Sequence, residues 1–391
     1  LQALVDSYYR ILREADGVSN AIANVDVYPN TADVTGSLAG TNDPSQADYT
    51  RIGVTVGNAK TVDLLNDYVG AANKTAVDTV DEINVIAKAA YNVMKQAGVA
   101  AGSGTQPALY ATTDNNAEWI AGLNTLLGLN TTTGVNSSNI EAMKTALSGN
   151  ADGTAVDTLQ EIRQLLPLVR IQAFADVPVF APTLTDWVAV GVKAKNALAD
   201  TSATLDLTAS GAYAGYTNIT ALNSALDRWA NTGTNLDTLA HAKETLQGVA
   251  DSYARVWGEA DGDRTVDVNV NNSSAGNDPE EADYANLLGG TLTALISSAN
   301  AKWLDLLNDC LGGLTTSSVS TATQVEDLIK VATNVMNQAV GTGWSYTNNS
   351  EWVSALSSLG ISGLSSMSPT DLATVKANIT AVSNATDIDT W

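Results

Sequence analysis

The chain has 391 residues, of which 45% are hydrophobic, and its mean hydropathy is near zero, which is typical of a folded protein and not of a disordered one. Its 42 Asp and Glu residues against 19 Lys and Arg give a formal net charge of −23, which argues against nucleic acid or an anionic membrane as a partner. The single cysteine excludes an intrachain disulfide and a cysteine-based metal cluster, and we expect Cys310 to be a core residue because it replaces Tyr68 of an earlier copy at an apolar helix position.

A short phrase of the type Val-Asp-Thr recurs five times along the chain. Its middle positions are 79, 80, 83 and 69 residues apart and are occupied by Asp78, Asp157, Asp237, Ser320 and Asp389. A recurring period of this size is typical of a tandem array of small helical units. The sequence therefore predicts an all-α fold, built as a tandem array of units of about 80 residues.

A longer repeat gives these units the order A, B, C, A, B. Four segments return 245, 235, 242 and 233 residues later, namely residues 1–10 at 246–255, 42–49 at 277–284, 63–67 at 305–309, and 118–119 at 351–352. The middle unit carries Asp186 and Trp187, which we interpret as a degenerate relative of the Glu-Trp pair in the B units. The predicted units are residues 1–76 (A), 77–155 (B), 156–235 (C), 236–318 (second A) and 319–391 (second B, cut at its end).

Both termini cut through a unit in this interpretation. Leu246 lies eight residues beyond Thr238, so Leu1 is expected at a similar distance beyond another copy of the phrase. At the other end, the chain stops one residue after Thr390, where a helix is expected to begin. We therefore expect the chain to be a piece of a longer protein.

Capping signals predict where the helices begin. Ser or Thr followed three residues later by Glu, Gln or Asp can form a capping box, in which each side chain bonds to the backbone amide of the other residue. Asp43-Pro44 and Asp278-Pro279 are predicted to begin the two helices that carry an Ala-Asp-Tyr triplet. In chain order, the predicted boxes are Thr79 with Glu82, Ser138 with Glu141, Thr158 with Glu161, Thr321 with Gln324, and Ser368 with Asp371.

Apolar residues at helical spacing follow two of these boxes and predict one buried stripe on each long helix. Pro167 falls within the second stripe, and we expect it to disturb that helix. The first stripe consists of Ile83, Ile86, Ala90, Val93, Met94 and Ala97, and the second of Ile162, Leu165, Leu166 and Val169.

The long loops carry their own signals. Gly17 and Gly262 lie where a left-handed residue would end a helix. Residues 25–34 and 265–270 alternate apolar and polar side chains, which predicts short hairpins in the long loops or, alternatively, extended loop segments.

Oxygen-bearing side chains on the repeated loops make calcium the one cofactor that the sequence suggests. Calcium takes six to eight hard oxygen ligands with loose geometry, but no EF-hand spacing is present. The alternative interpretation is that Asp43 and Asp278 cap helices and that the other acids are exposed, which is the commoner role for acids on such loops. The calcium candidates are Glu14, Asp16, Asn42, Asp43, Asp48, Glu259, Asp261, Asp263, Asn277, Asp278 and Asp283.

No catalytic signature is present. The only histidine, His241, lies within a predicted helix. With no second histidine and no thiol beyond that of Cys310, we expect no zinc or haem site. Trp119 and Trp352 are expected in the core and not on a carbohydrate-stacking surface, since apolar residues continue the helix face around each. A close carboxylate pair of the glycosidase kind stays open, but the acids mostly recur with the repeat, so we expect the protein not to be an enzyme.

Val-Asp-Thr-x-x-Glu-Ile, Asn-Asp-Pro-x-x-Ala-Asp-Tyr, Asp-Leu-Leu-Asn-Asp and Ala-Asp-Gly together resemble the Ala/Asp-rich helical tandem repeats of very large secreted bacterial surface proteins, such as biofilm and RTX-type adhesins. The resemblance covers almost the whole chain, except residues 169–182 of the middle unit. It implies a secreted or cell-surface protein in calcium-rich surroundings, acting as an adhesin stalk or spacer.

The expected partners are neighbouring repeats of a longer chain or copies of the chain itself, with no nucleic acid and no membrane insertion. Two alternatives stay open at this point. The first is a self-assembling surface-layer or extracellular filament subunit, which predicts extensive contacts between copies. The second is a polysaccharide-acting hydrolase, which requires a deep pocket with convergent carboxylates in only one unit.

Overall fold

The computed structural model of the chain describes most of the sequence. In it the chain divides into two compact units, Leu1–Arg170 and Ile171–Trp391, each of which is described by itself below. The predicted division into five units stays a prediction. The described residues are 1–15, 43–102, 105–110, 116–150, 153, 155–197, 200–205, 218–229, 236, 239–260, 278–289, 291–296, 302–339 and 349–381.

The first unit is helical throughout its described residues. A short 3₁₀ turn at Lys74–Ala76 leads into α4, on which both α3 and α5 pack. The helices are α1 (Gln2–Glu14), α2 (Gln46–Arg51), α3 (Ala59–Ala71), α4 (Val80–Gln96), α5 (Ala117–Leu127), α6 (Ile140–Ser148) and the larger part of α7 (Leu159–Asp176).

Within its described residues, the second unit is helical apart from one antiparallel hairpin of β1 (Ala194–Ala197) and β2 (Asp200–Leu205), which pairs Ala194 with Leu205 and Ala197 with Asp200. Further 3₁₀ turns occur at Thr316–Val319 and Leu364–Ser366. The helices are α8 (Leu184–Ala189), α9 (Ile219–Leu226), α10 (Leu239–Glu259), α11 (Glu281–Leu288), α12 (Leu292–Ile296), α13 (Trp303–Leu311), α14 (Ala322–Ala339), α15 (Asn349–Ser358) and α16 (Pro369–Ala381).

The all-α class is therefore confirmed. The hairpin lies in the middle of the chain, at a place that the alternation of side chains did not pick out. The two predicted hairpins, at residues 25–34 and 265–270, lie outside the described residues, as do Gly17 and Gly262.

The core of the first unit forms around the apolar stripe of α4, which the sequence predicts correctly. All six predicted stripe residues are buried, among them Ile83 and Met94 at 0% exposure. Full burial of such a side chain stabilises the fold by about 1.5–3 kcal/mol. In the second unit the corresponding long helix, α14, buries Val325, Ile329 and Met336 in the same way.

Three of the predicted capping boxes are confirmed in full. The Thr79 amide donates to the Glu82 carboxylate at 3.0 Å and the Glu82 amide to the Thr79 hydroxyl at 3.3 Å. Thr158 and Glu161 make the same pair of bonds at 3.1 and 3.2 Å. Ser368 and Asp371 begin α16 with Pro369 at its first position, as predicted.

The box at Thr321 differs from the prediction. The Gln324 amide donates to the Thr321 hydroxyl at 3.2 Å, as in a complete box. The Gln324 side-chain amide, however, donates to the carbonyl of Ser317 at 3.1 Å. A glutamine side chain can donate where a glutamate cannot, and here it bonds back to the preceding turn.

Three predicted helix starts are wrong. The helices with the Ala-Asp-Tyr triplets begin after Ser45 and Glu280, two residues beyond Asp43 and Asp278, so each proline precedes the cap. Ser45 and Asp48 form a capping box of their own, with the Asp48 amide on the Ser45 hydroxyl at 3.3 Å. A complete box satisfies two orphan amides, whereas an Asp-Pro start satisfies one.

The third wrong start is that of α6. It begins at Ile140, and Ser138 lies outside it. Instead, the Asn136 amide donates to the Asn139 side chain at 2.8 Å, and the Ser138 amide donates to the Asn136 side chain at 2.9 Å. Asparagine side chains close the turn before the helix and so take the place of the serine cap.

Pro167 does not end its helix. α7 continues from Leu159 to Asp176, and Leu166 and Val169 beside the proline are buried. Proline removes one backbone hydrogen bond at a cost of about 3 kcal/mol, and burial of the flanking apolar residues offsets that cost.

Candidate functional site

One buried aspartate in the first unit joins two segments of the chain that are far apart in sequence. The Asp48 side chain is 2% exposed. One of its oxygens accepts from the Ser7 hydroxyl at 2.8 Å, and the other accepts from the Arg10 guanidinium at 2.8 Å and from the Ser45 amide at 2.9 Å. α1 is thereby bonded to the start of α2.

Burial would raise the pKa of Asp48, but the hydrogen bonds from Ser45 and Ser7 and the charge of Arg10 together lower it to about 2. The carboxylate is therefore held ionised. Its oxygens are occupied by these donors and by Arg51, which approaches to 3.3 Å.

The second unit repeats this cluster at matching positions of the sequence. Asp283 accepts from the Ser252 hydroxyl at 2.9 Å, from the guanidinium of Arg255, and from the Glu280 amide at 2.8 Å. Ser252, Arg255 and Asp283 lie 245, 245 and 235 residues after their counterparts in the first unit. The same geometry therefore recurs with the sequence repeat.

A buried asparagine holds the neighbouring aromatic residue in each unit. In the first, the Tyr49 hydroxyl donates to the Asn66 side chain at 2.7 Å, and Asn66 donates to the Pro44 carbonyl at 3.0 Å. In the second, Tyr284 donates to Asn308 at 2.7 Å and Asn308 donates to the Pro279 carbonyl at 3.0 Å. We name this arrangement the asparagine clamp. This arrangement was not predicted from the sequence, although the recurring Leu-Leu-Asn-Asp segment contains its asparagine.

A third asparagine clamp lies in the middle of the chain and corrects the interpretation of Trp187. The Trp187 indole donates to the Asn223 side chain at 3.1 Å, and Asn223 donates to the Pro182 carbonyl at 2.8 Å. Asp186 forms a capping box with Thr183, as Asp48 does with Ser45. The Asp186-Trp187 pair therefore has the surroundings of the Ala-Asp-Tyr type and not of the Glu-Trp type. An indole N–H can replace a tyrosine hydroxyl as the donor, which hides the relationship in the sequence.

The two Glu-Trp pairs also have matching surroundings. Trp119 and Trp352 are buried, as predicted, and each carries a lysine over its ring, Lys144 at 5.7 Å and Lys376 at 5.2 Å from the ring centroid. Lys376 also bonds to Asn349 at 3.1 Å, and Lys144 bonds to the corresponding Asn116. These indoles are core residues with a cation over the ring, which is a stabilising arrangement.

Six of the eleven calcium candidates are described. Asp48 and Asp283 are committed to arginine and to capping, as given above. The negative charges of Glu14, Asp43 and Asp48 add to burial in raising the pKa of the Tyr49 hydroxyl well above its ordinary value. Those of Glu259, Asp283 and Asp278 act in the same way on Tyr284.

Each described set of acids therefore lies around a buried tyrosine. Among the described residues no group of three or more His, Cys, Asp or Glu side chains has the arrangement of a metal site. The remaining candidates, Asp16, Asn42, Asp261, Asp263 and Asn277, lie outside the described residues. A calcium site on these loops stays a prediction.

At the start of two long helices, a backbone amide donates to a side chain that lies much earlier in the sequence. The Leu159 amide, at the start of α7, donates to the Asp67 carboxylate of α3 at 2.5 Å. In the second unit the Ala322 amide, at the start of α14, donates to the Ser224 hydroxyl of α9 at 3.1 Å. Asp67 and Ser224 each follow the asparagine of a clamp directly. The same helix therefore holds the aromatic residue and caps a later helix.

The remaining reactive groups have ordinary surroundings. Cys310 is buried in α13, as predicted, and His241 lies exposed on α10. Burial raises the pKa of Asp63 and Asp67 on α3, opposed at Asp63 by the charge of Lys60 and at Asp67 by the bond from the Leu159 amide. Asp67 thus binds the start of α7, while Lys60, whose charge acts on Asp63, pairs with Asp157.

Comparisons with protein-family models, with curated proteins and with solved structures found no match. In the part of the chain that the structure describes, no helix combines the length and the apolar character needed to cross a membrane.

Proposed function

We propose that this chain is a structural repeat segment of an extracellular bacterial surface protein, acting as a stalk or spacer. The proposal includes a tandem arrangement of helical units in which each unit covers an apolar face of the next. The secreted location and the family resemblance are part of the proposal.

The observation that carries it is the recurrence of one buried polar cluster at matching sequence positions. Asp48 and Asp283 bind the same kinds of donor, and asparagine clamps follow at Asn66 and Asn308. Binding and catalytic groups are usually placed once in a fold, whereas framework contacts recur with the unit. Recurrence of polar contacts that are buried and fully engaged therefore favours a framework role.

Scattering and sedimentation of the purified chain, with calcium and with a chelator, test the proposal. We expect a monomer whose radius of gyration exceeds the value of about 21 Å for a compact domain of this length. A compact particle in both conditions would contradict the spacer role. Growth into sheets or filaments would instead favour the alternative of a surface-layer or filament subunit.

The same measurement separates two roles for calcium. A shape that is independent of calcium contradicts a role for the ion in stiffening the chain. Straightening on addition of calcium would point to the repeated Asp-Gly and Asn-Asp-Pro loops as its sites, since calcium binds clustered oxygen ligands on loops.

A further inference from the structure

The first half of α1 presents apolar side chains to solvent. Leu4, Val5 and Tyr9 are 47%, 50% and 60% exposed, and Leu1 is fully exposed. Their spacing places them on one face of the helix. A single exposed leucine is ordinary, but several adjacent apolar side chains on one helix face mark a packing surface. We name these four residues the α1 stripe.

α10 carries the same stripe at the corresponding positions, and there it is buried. The sequence repeat places Leu1 on Leu246, with no gap over ten residues. Leu246, Val249 and Ala250 are 0% exposed, and Ala254 is 4% exposed. Each is the counterpart of one residue in the α1 stripe. The two helices therefore have the same apolar pattern but different coverage.

Two of the elements that pack on α10 come from the residues that precede it, in addition to α11 and α13, which follow it. α9 and β1 both pack on α10, and α9 turns Leu222 and Leu226 into the core. The Gln247 side chain pairs with the backbone of Lys193, accepting from its amide at 2.9 Å and donating to its carbonyl at 2.8 Å. Val192, next to Lys193, is completely buried. Among the described residues, α1 instead packs chiefly on α2 and α3, and its Tyr8 hydroxyl donates to the carbonyl of Asp78.

The polar partner for this contact is also present on α1. Gln2 is the counterpart of Gln247, and each donates to the aspartate four residues later, Asp6 at 2.7 Å and Asp251 at 2.8 Å. Gln2 is exposed on the helix surface. The α1 surface thus has both the apolar stripe and the side chain that pairs with an extended backbone.

We propose that the α1 stripe and Gln2 form a docking surface for a further helical unit like the one that supplies α9 and residues 190–193. The backbone of its Val-Gly-Val-Lys segment pairs with Gln2, and a helix of the α9 type covers Leu1, Leu4 and Val5. This inference rests on the proposed function, because it names the partner that a tandem array would supply. A second copy of the whole chain is the competing occupant.

An extended chain tests the inference. A duplicate of residues 156–245 placed directly before Leu1 reproduces the junction that precedes Leu246 in the natural sequence. We measure hydrogen exchange of the α1 amides in the original and the extended proteins. In the extended protein we expect exchange over residues 4–9 to slow by about tenfold or more, because docked helices exchange through rarer openings.

Two variants of the extended protein serve as controls. Leu4→Asp with Val5→Asp places charges in the contact and should return α1 exchange to the original rate. Gln2→Ala should leave the apolar contact in place and lose only part of the protection. α10 of the same molecule is the internal reference, because its stripe is buried in the natural chain and neither variant changes it.

Three outcomes would overturn the inference. The first is unchanged α1 exchange beside a protected duplicate. The second is rapid hydrogen exchange throughout the duplicated residues. The same residues fold in front of α10 in the natural chain, so their failure to fold in front of α1 would mean that the α1 stripe does not bind them. The third is protection of α1 in the original chain that grows with protein concentration, which would make a second copy the occupant. The shape measurement on the original chain judges the spacer role independently of all three.

Discussion

Asp48 and its counterpart Asp283 show how a single buried carboxylate can hold two helices of this fold together. Each carboxylate is buried, yet its charge is matched by an arginine and its oxygens by serine and backbone donors. A buried charge is tolerated only with such partners. The contact is specific at the residue scale, since it joins one named serine on a long helix to the start of a short one.

We predict that Asp48→Asn destabilises the first unit. The pKa of Asp48 lies at about 2 against an ordinary 3.8, which corresponds to about 2 kcal/mol of stabilisation by the ionised form at neutral pH. Urea unfolding followed by circular dichroism measures the loss. Asp6→Asn, on an exposed position of α1, is the matched control and should change stability by less than about 0.5 kcal/mol.

The same group predicts a pH dependence. A carboxylate whose folded pKa is lowered stabilises fully above its unfolded pKa, and its contribution is lost as pH falls from about 4 to about 2. Asp63 and Asp67 have raised pKa values and act in the opposite direction. The difference in unfolding free energy between the natural chain and Asp48→Asn isolates Asp48, and we expect it to shrink over that window. A constant difference from pH 7 to pH 2 would contradict the assignment.

The asparagine clamp gives a further prediction at this scale. Asn66→Ala removes an acceptor for the Tyr49 hydroxyl and a donor for the Pro44 carbonyl, both buried. We expect a loss of about 2–3 kcal/mol, because buried polar groups left unpaired carry their desolvation cost. Asn73→Ala is the control, since Asn73 is exposed and makes no capping bond with its side chain. Equal losses from both substitutions, measured by urea unfolding, would rule out the clamp as a stabilising contact.

At the scale of the element, some contacts at helix starts can be predicted from the sequence and others cannot. Thr79 with Glu82 and Thr158 with Glu161 were predictable, because a capping box is a local contact between residues three apart. The asparagine clamps and the bond from Leu159 to Asp67 were not, because they join residues far apart in sequence. Local chemistry can be read directly, whereas distant contacts depend on packing.

Pro167 and Asp43 show that local signals can also mislead. From the sequence, Pro167 was expected to disturb its helix and Asp43 to begin one. The fold overrode the first through burial of Leu166 and Val169, and a competing box at Ser45 overrode the second. For the candidate site, the sequence located the recurring acids but could not show that Asp48 and Asp283 are bound to arginines.

The capping boxes of the two long helices predict unequal effects of one substitution. Thr79→Ala removes a complete box and should cost about 1 kcal/mol. Thr321→Ala should cost less, because Gln324 bonds to Ser317 and the box is only partly formed. Thermal unfolding of the two variants and of the natural chain measures both losses. A larger loss at Thr321 than at Thr79 would contradict this difference.

At the scale of the whole molecule, the division into two compact units predicts that the rate of thiol labelling at Cys310 depends on the stability of the second unit. Cys310 is buried in the second unit, so its thiol should react with a thiol reagent only when that unit opens. We expect Asp283→Asn to speed labelling by tenfold or more, on the basis of about 1.4 kcal/mol per tenfold. Asp48→Asn, in the first unit, is the matched control and should change the rate much less. Equal acceleration by both substitutions would mean that the units open together.

The bond between Asp67 and the start of α7 sets an order of events during synthesis. Its two residues are 92 positions apart, and the comparable bond from Ser224 to Ala322 spans 98. A chain that emerges from its N-terminus must therefore expose almost a hundred further residues before either helix start finds its acceptor. Until then the side chain of the earlier helix lacks this partner. We therefore expect both bonds to be among the late contacts that form as the polypeptide leaves the ribosome, since each waits for a stretch of chain that is made long after its acceptor.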